Sequence, residues 1–202
     1  MNKARLKRPR KRVREFSREE ILDTARNLFV QNGYESVTIR KIASEIGCAS
    51  GTIYLHFADK AEIFESLCTE TFHKLTTRLV AIAEDNDDPV ECLKRGCRCY
   101  IAFALEHPSH YIVTFVTPKS GHQPAILQAG IECFGNLRRM VVRCIDEGYL
   151  RLTNVDEVSQ VIWTSLHGLV SLQITHSEFP FLEQTRLAER HIDVLVTGIR
   201  RT

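Results

Sequence analysis

Gly47 separates two short stretches that each carry apolar residues at helical spacing, and no other feature restricts the fold of this chain so tightly. Before it, Ile39, Ile42, Ala43 and Ile46 share one face of a helix that Thr38 is placed to cap. After it, a third helix reaching about Phe57 is dense in small, hydroxyl and aromatic residues, reading CASGTIYLHF. Helices this short bury little by themselves and must lean on neighbours. A helix-turn-helix of this kind offers polar side chains of its second member, here Ser50, Thr52, Tyr54 and His56, to a DNA major groove.

Helix starts are legible along the whole chain. Ser17 with Glu20 forms a capping box, and Phe16 with Ile21 supplies a hydrophobic staple. Asn32-Gly33 stops that first helix. Asp59 and Glu62 open a long fourth helix running through Phe64, Leu67, Phe72, Leu75, Leu79 and Ile82. Asp88, Pro89 and Glu91 start the next, which stops before His107-Pro108. Shorter and longer helices are predicted over about 109–116, 124–147, 155–177 and 182–200. No strand alternation competes, so the fold class is all-α with about nine helices.

Charge is divided unevenly. Residues 1–60 hold 13 Lys/Arg against 7 Asp/Glu, a net of +6, whereas residues 61–202 hold 14 against 18, a net of −4. A polyanion-binding head on a mildly acidic body explains this most simply. Residues 1–15 carry eight basic side chains and read as a disordered basic arm that touches DNA, or as a solvated tail. Residues 15–30 are amphipathic rather than a secretory apolar core, and no long uncharged run spans a bilayer. Seven cysteines, an odd number sitting mostly in helical patterns, fit a reducing cytoplasm. The expected location is cytoplasmic, with no membrane association.

Over residues 17–64, and above all in GCASGTIYLHFADKAEIF, the chain resembles the TetR family of one-component transcriptional regulators. The remainder resembles the family in architecture alone, although Trp163-Thr164-Ser165-Leu166-His167-Gly168 looks like a tryptophan-histidine-glycine signature of one C-terminal subgroup. The resemblance implies three segments: the arm 1–15, a helix-turn-helix DNA-binding domain over 16–62, and a helical effector-binding and dimerisation domain over 63–202. It also implies roles. Thr38 would bind phosphate at a helix N-terminus, and Arg40 would contact a base edge or phosphate. Ser50, Gly51 and Thr52 would lie nearest the bases, Tyr54 and His56 would touch backbone or bases, and Lys60 would clamp a phosphate. The sequence departs from the family at Ala49, where serine or threonine usually caps the recognition helix. Ser50 either takes the cap, moving the helix start by one residue, or faces DNA with no side-chain cap. Leu55 is placed to meet a thymine methyl.

The eighth helix is apolar almost all round, with Val158, Val161, Ile162, Trp163, Leu166, Leu169, Val170, Leu172 and Ile174. Such a helix must be covered on every face, and a second subunit covers what one core leaves open. A homodimer through the last two helices is expected, the rival being a helix wholly internal to a monomer. Phe72, Tyr100, Phe103, Phe115, Trp163 and His167 are candidates for lining an effector pocket between the fourth and eighth helices; the blander reading is that they fill a core. Cys92, Cys97 and Cys99, or His107 with His110, invite a metal or thiol sensor, but Cys97-x-Cys99 on a helix points its side chains apart. No metal and no cofactor are expected. No nucleophile elbow, phosphate-cradling glycine loop or paired-carboxylate constellation appears, so no catalytic residue is assigned and an enzyme is not expected. The function that follows is a ligand-responsive regulator, a repressor, which binds a palindromic double-stranded operator and is released by a small, mainly apolar effector. The alternative is an architectural or DNA-occlusion protein with no effector.

Overall fold

The computed structural model describes residues 16–118, 123–151 and 153–201, so the basic arm over 1–15 lies outside it. The described residues form nine α-helices and no strand: α1 (Arg18–Asn32), α2 (Ile39–Ile46), α3 (Ser50–Tyr54), α4 (Lys60–Ala83), α5 (Pro89–Glu106), α6 (Pro108–Tyr111), α7 (Pro124–Asp146), α8 (Val155–Thr175) and α9 (Gln184–Ile199). A π-helical turn over Ile112–Val116 continues α6, with the Thr117 N–H donating to the Ile112 carbonyl at 2.8 Å. This turn is a departure from the single short helix expected over 109–116.

The caps follow their side-chain chemistry. Ser17 and Glu20 exchange both bonds of a capping box. Asp59 accepts from the Glu62 N–H at 2.8 Å, while the Glu62 carboxylate reaches one residue further back than a capping box requires, to the Ala58 N–H at 2.6 Å. Asp88 and Asn154 cap α5 and α8 through the amides of Glu91 and Glu157. Gly47 takes φ 81°, ψ 34°, the left-handed conformation that ends α2 and turns the chain into α3. Glycine is required there because a side chain in that region costs about 1–2 kcal/mol.

Helix α3 is shorter than the expected reach to Phe57; it ends at Tyr54, and Leu55 and His56 form a turn. Ile53 and Phe57 nevertheless keep the four-residue spacing of one helix face: both are fully buried, and the Phe57 N–H still donates to the Ile53 carbonyl at 3.0 Å. Each such burial is worth about 1.5–3 kcal/mol. Ala49 occupies the N-cap position of α3 with no side-chain bond, so the start does not move to Ser50.

Helices α1, α5, α6 and α7 pack on α4, while α8 and α9 pack on α5 and α7 or on each other. Phe64 meets Phe29 and Tyr34 at ring separations of 6.0 and 4.8 Å on the head side. Further along, Phe72, Leu75 and Leu79 face α5 and α7. Helix α9 is pinned across α5 by Arg98, which grips Glu189 through two nitrogens at 2.7 and 3.0 Å, and by Lys94 on Asp193 at 3.1 Å. The Arg201 N–H donates to the Tyr149 carbonyl at 2.8 Å, which ties the chain end to the α7–α8 connection. Supplying the missing cap by Ala49→Ser should stabilise the protein by about 1 kcal/mol. Urea unfolding checks this, and an unchanged or lower midpoint would mean that the cap position is held by something other than its side chain.

Candidate DNA-binding face and effector cavity

Of the residues that the sequence singles out, Thr38 and Arg40 lie at the start of α2, Ser50, Gly51, Thr52 and Tyr54 on α3, His56 in the turn after it, and Lys60 at the start of α4. Thr38 is exposed and caps α2, its hydroxyl accepting from the Lys41 N–H at 3.2 Å; Arg40 is exposed one turn along. On α3, Ser50 and Thr52 are half-buried while Gly51 and Tyr54 are exposed, Tyr54 by 56%. A β-carbon added at Gly51 would meet nothing within 4 Å. Packing inside the chain therefore does not require glycine there, and its absent side chain leaves the backbone open to close approach from outside. His56 is half-buried, and Leu55 is 82% exposed, an apolar side chain presented on an otherwise polar face.

Lys60 differs from the expectation of a free phosphate clamp. Its ammonium donates to the Tyr34 carbonyl at 2.8 Å and sits 4.1 Å from the centre of the Tyr34 ring. The same group lies 3.5 Å from the Glu35 carbonyl. Lys60 thus ties the α1–α2 connection to α4.

The body encloses a cavity of about 600 Å³ between α4, α5, the π-helical turn, α7 and α8. Five of the six aromatic and histidine candidates line it: Phe72, Tyr100, Phe115, Trp163 and His167. Phe103 does not. Its ring is 1% exposed, faces His107 at 5.1 Å and lies under the Arg78 guanidinium at 5.3 Å, which makes it core. Helical spacing identifies the buried face of α5 but not which of its members faces the void. Sequence reasoning missed the α7 contribution, Ile126, Gly130 and Cys133, and missed Thr114 on the π-helical turn. Gly130 allows the Phe72 ring to lie against α7; a β-carbon there would stand 3.3 Å from Phe72 Cζ.

Both regions match known proteins. A family model described as bacterial regulatory proteins, tetR family, matches residues 21–67, and one described as tetracyclin repressor-like, C-terminal domain, matches residues 93–195. The chain belongs to the TetR family. Among curated relatives, the HTH-type transcriptional repressor AcnR of Corynebacterium efficiens is 43% identical over 54 residues, which is 27% of this chain and 29% of that protein. The nucleoid occlusion factor SlmA of Vibrio campbellii is 33% identical over 92 residues, 45% of this chain and 47% of that protein. The chain thus spans less than half the length of either. Over the whole fold it is similar to the transcriptional regulator FadR of Bacillus subtilis, solved in complex with stearoyl-CoA, with a TM-score of 0.78 at 22% identity, covering 91% of this chain and 100% of that one.

In this TetR-family chain the polar groups of the cavity are neutral. The Tyr100 hydroxyl is hydrogen-bonded to His167 Nδ1, and the Tyr111 hydroxyl donates to the His167 carbonyl at 3.3 Å. Burial pushes the His167 imidazole down to about 4 and pushes the Tyr100 phenol up. The thiols are equally quiet. Burial raises Cys97 and Cys144 to about 12 and Cys133 to about 11, and no group of three or more His, Cys, Asp or Glu able to hold a metal occurs among the described residues. Cys99 is half-buried and Cys97 buried, so the two thiols meet different surroundings. No helix among the described residues is long and apolar enough to cross a membrane.

The His167 shift has a stability consequence. Folding disfavours the imidazolium, so the unfolded chain takes up the proton first as the pH falls. The stability that His167 contributes is full above about pH 6.5, is lost between there and about pH 4, and stays level below. The difference in unfolding free energy between the parent protein and His167→Gln should shrink across that window in denaturant titrations. A difference that does not change with pH would show that the ring is not held neutral.

Proposed function

We propose that this chain is a ligand-responsive transcriptional repressor that binds an inverted-repeat operator as a homodimer and releases it when a small, mainly apolar effector enters the body. The observation that carries the reading is that α4 joins the two regions directly. Its first turns, with Lys60, Ile63 and Phe64, pack the head, and Phe72, Leu75 and Leu79 further along face the cavity. Occupancy of the cavity therefore acts on a helix that also positions the reading head. By linkage, effector and operator then weaken each other's binding.

In this reading, residues 16–62 serve as the DNA-binding domain and residues 63–202 as the effector and dimerisation domain, with the arm 1–15 adding phosphate contacts. Thr38 hydrogen-bonds a phosphate, Lys60 neutralises one and Arg40 meets a phosphate or a base edge, while Ser50, Gly51 and Thr52 stand nearest the bases and Tyr54 and His56 touch backbone or bases. The dimer forms on α8 and α9, where a single chain leaves Leu172 52% and Val194 66% exposed. Two heads about one helical turn apart then match a palindrome. The names of relatives lean the same way, since AcnR is a repressor and FadR was solved with an acyl-CoA. The likeness to SlmA is the observation behind a second reading, DNA occlusion without an effector. An apolar cavity of drug-like size favours the first.

Selection of bound DNA from a random pool, repeated with a panel of metabolites, tests the whole reading; a diffuse, unselective pool that no metabolite alters would favour occlusion. Arg40→Ala should weaken binding to every sequence and lower the salt slope by about one phosphate's worth, without loss of melting temperature. Thr52→Ala should change the ranking of operators. Lys60→Ala should both weaken binding and lower the melting temperature, because it also releases the Tyr34 carbonyl. If Arg40→Ala and Thr52→Ala alter only thermal stability, the contact assignments fail. Paired Leu172→Asp and Val194→Asp should convert a dimer to a monomer in sedimentation velocity, and a dimer that survives both changes would place the interface elsewhere.

A further inference from the structure

We infer that the effector of this cavity is an uncharged molecule, apolar over most of its length, whose inner end carries one neutral hydrogen-bonding group, a hydroxyl or carbonyl, held by the Thr114 hydroxyl. The inference rests on the reading of the cavity as an effector site and narrows it to a chemical class.

Three observations lead there. The first is charge. None of the described residues lining the cavity is Asp, Glu, Lys or Arg. An ionised carboxylate or phosphate brought inside would lose its hydration and find no counter-charge, a cost of several kcal/mol at the least. The imidazole does not rescue it, since burial keeps His167 neutral at pH 7.

The second is an unmet hydrogen bond. Thr114 lines the cavity, is fully buried, and its Oγ1 has no hydrogen-bond partner. A helical threonine ordinarily returns its hydroxyl to the carbonyl one turn back, as Thr71 does to Leu67 at 2.8 Å. Thr114 sits in the π-helical turn, where that bond is not made. A buried hydroxyl without a partner costs about 1–3 kcal/mol. Phe72 and Phe115, which line the same cavity edge to face at 5.3 Å, offer nothing polar in exchange. A ligand oxygen does.

The third is direction. The cavity's exposed lining residues, Leu127 at 62%, Ile131 at 55%, Trp163 at 39% and Gln160, mark its mouth between α7 and α8. Thr114, fully buried, marks the inner end. Three of the four mouth residues are apolar and the Gln160 amide is open to water, whereas the Thr114 hydroxyl has no other partner, so the ligand is oriented with its oxygen leading. This arrangement excludes a long-chain acyl thioester of coenzyme A held by its charged end inside the cavity.

The test uses the full chain and its single tryptophan, Trp163, which stands in the cavity wall. Four probes share one apolar frame: bicyclohexyl, 4-cyclohexylcyclohexanol, 4-cyclohexylcyclohexanone and 4-cyclohexylcyclohexanecarboxylate. Dodecanoyl-CoA is the fifth. At pH 7.5 the alcohol and the ketone should shift the Trp163 emission with dissociation constants about tenfold or more below those of bicyclohexyl, the carboxylate and dodecanoyl-CoA. Thr114→Val keeps the shape and removes the hydroxyl. It should abolish the advantage of the alcohol over bicyclohexyl while leaving the melting temperature unchanged or raised. A carboxylate or acyl-CoA that binds as tightly as the alcohol overturns the uncharged class, and failure of all five to bind overturns the inference as a whole. An alcohol preference that persists in Thr114→Val overturns the role of Thr114. If the alcohol binds as expected but leaves operator affinity untouched, the inference stands and the proposed switch falls.

Discussion

Burial along α4 is the constraint on which the other helices depend. At 24 residues the helix is about 36 Å long, more than one small core can cover. Its N-terminal turns are covered by α1 and the α1–α2 connection through Phe29, Tyr34 and Phe64, and its later turns by α5 and α7. The head is therefore not a separate bead on a linker. Ile63, Phe64 and Leu67 belong to the same continuous helix as Leu75 and Leu79, and all five are buried. One rigid element therefore carries part of both cores.

Against that apolar framework the ion pairs play a smaller part. Arg98 with Glu189 and Lys94 with Asp193 fix the angle of α9 on α5, but they are partly exposed, and such pairs contribute about 0–1 kcal/mol each. Their value is positional. They hold α9 where Val194 faces outward and Ile192 and Val196 face inward, so one stripe of the helix closes the core and another remains available. Arg26 is a stronger case. It is 7% exposed and pairs with Asp23 at 2.5 Å and Glu70 at 3.7 Å, bridging α1 and α4 at low solvent access.

Most helix boundaries were legible in the sequence because they are set by local chemistry. Ser17, Asp59, Asp88 and Asn154 each bond an amide two or three residues on, and such bonds need no knowledge of the rest of the fold. The departures carry no such local mark. Helix α3 ends at Tyr54 although Ile53 and Phe57 keep helical spacing, and the π-helical turn over Ile112–Val116 has no sequence mark of its own. In the cavity, residue type pointed to five aromatic and histidine positions but placed Phe103 among them wrongly, because the 3.6-residue period defines a face and not its neighbour. Thr114 and Gly130 were invisible for the opposite reason, being ordinary residues made special by what surrounds them. Lys60 was placed correctly at the start of α4, while its bond to Tyr34 joins residues 26 apart and could not be seen in either segment.

None of the seven cysteines is in a disulfide, and the structure buries five of them. Oxidants and alkylating reagents attack the thiolate, and groups raised to about 11 or 12 supply almost none at neutral pH. At these three positions sulfur serves as packing material, and oxidants or electrophiles that need a thiolate find little of one there.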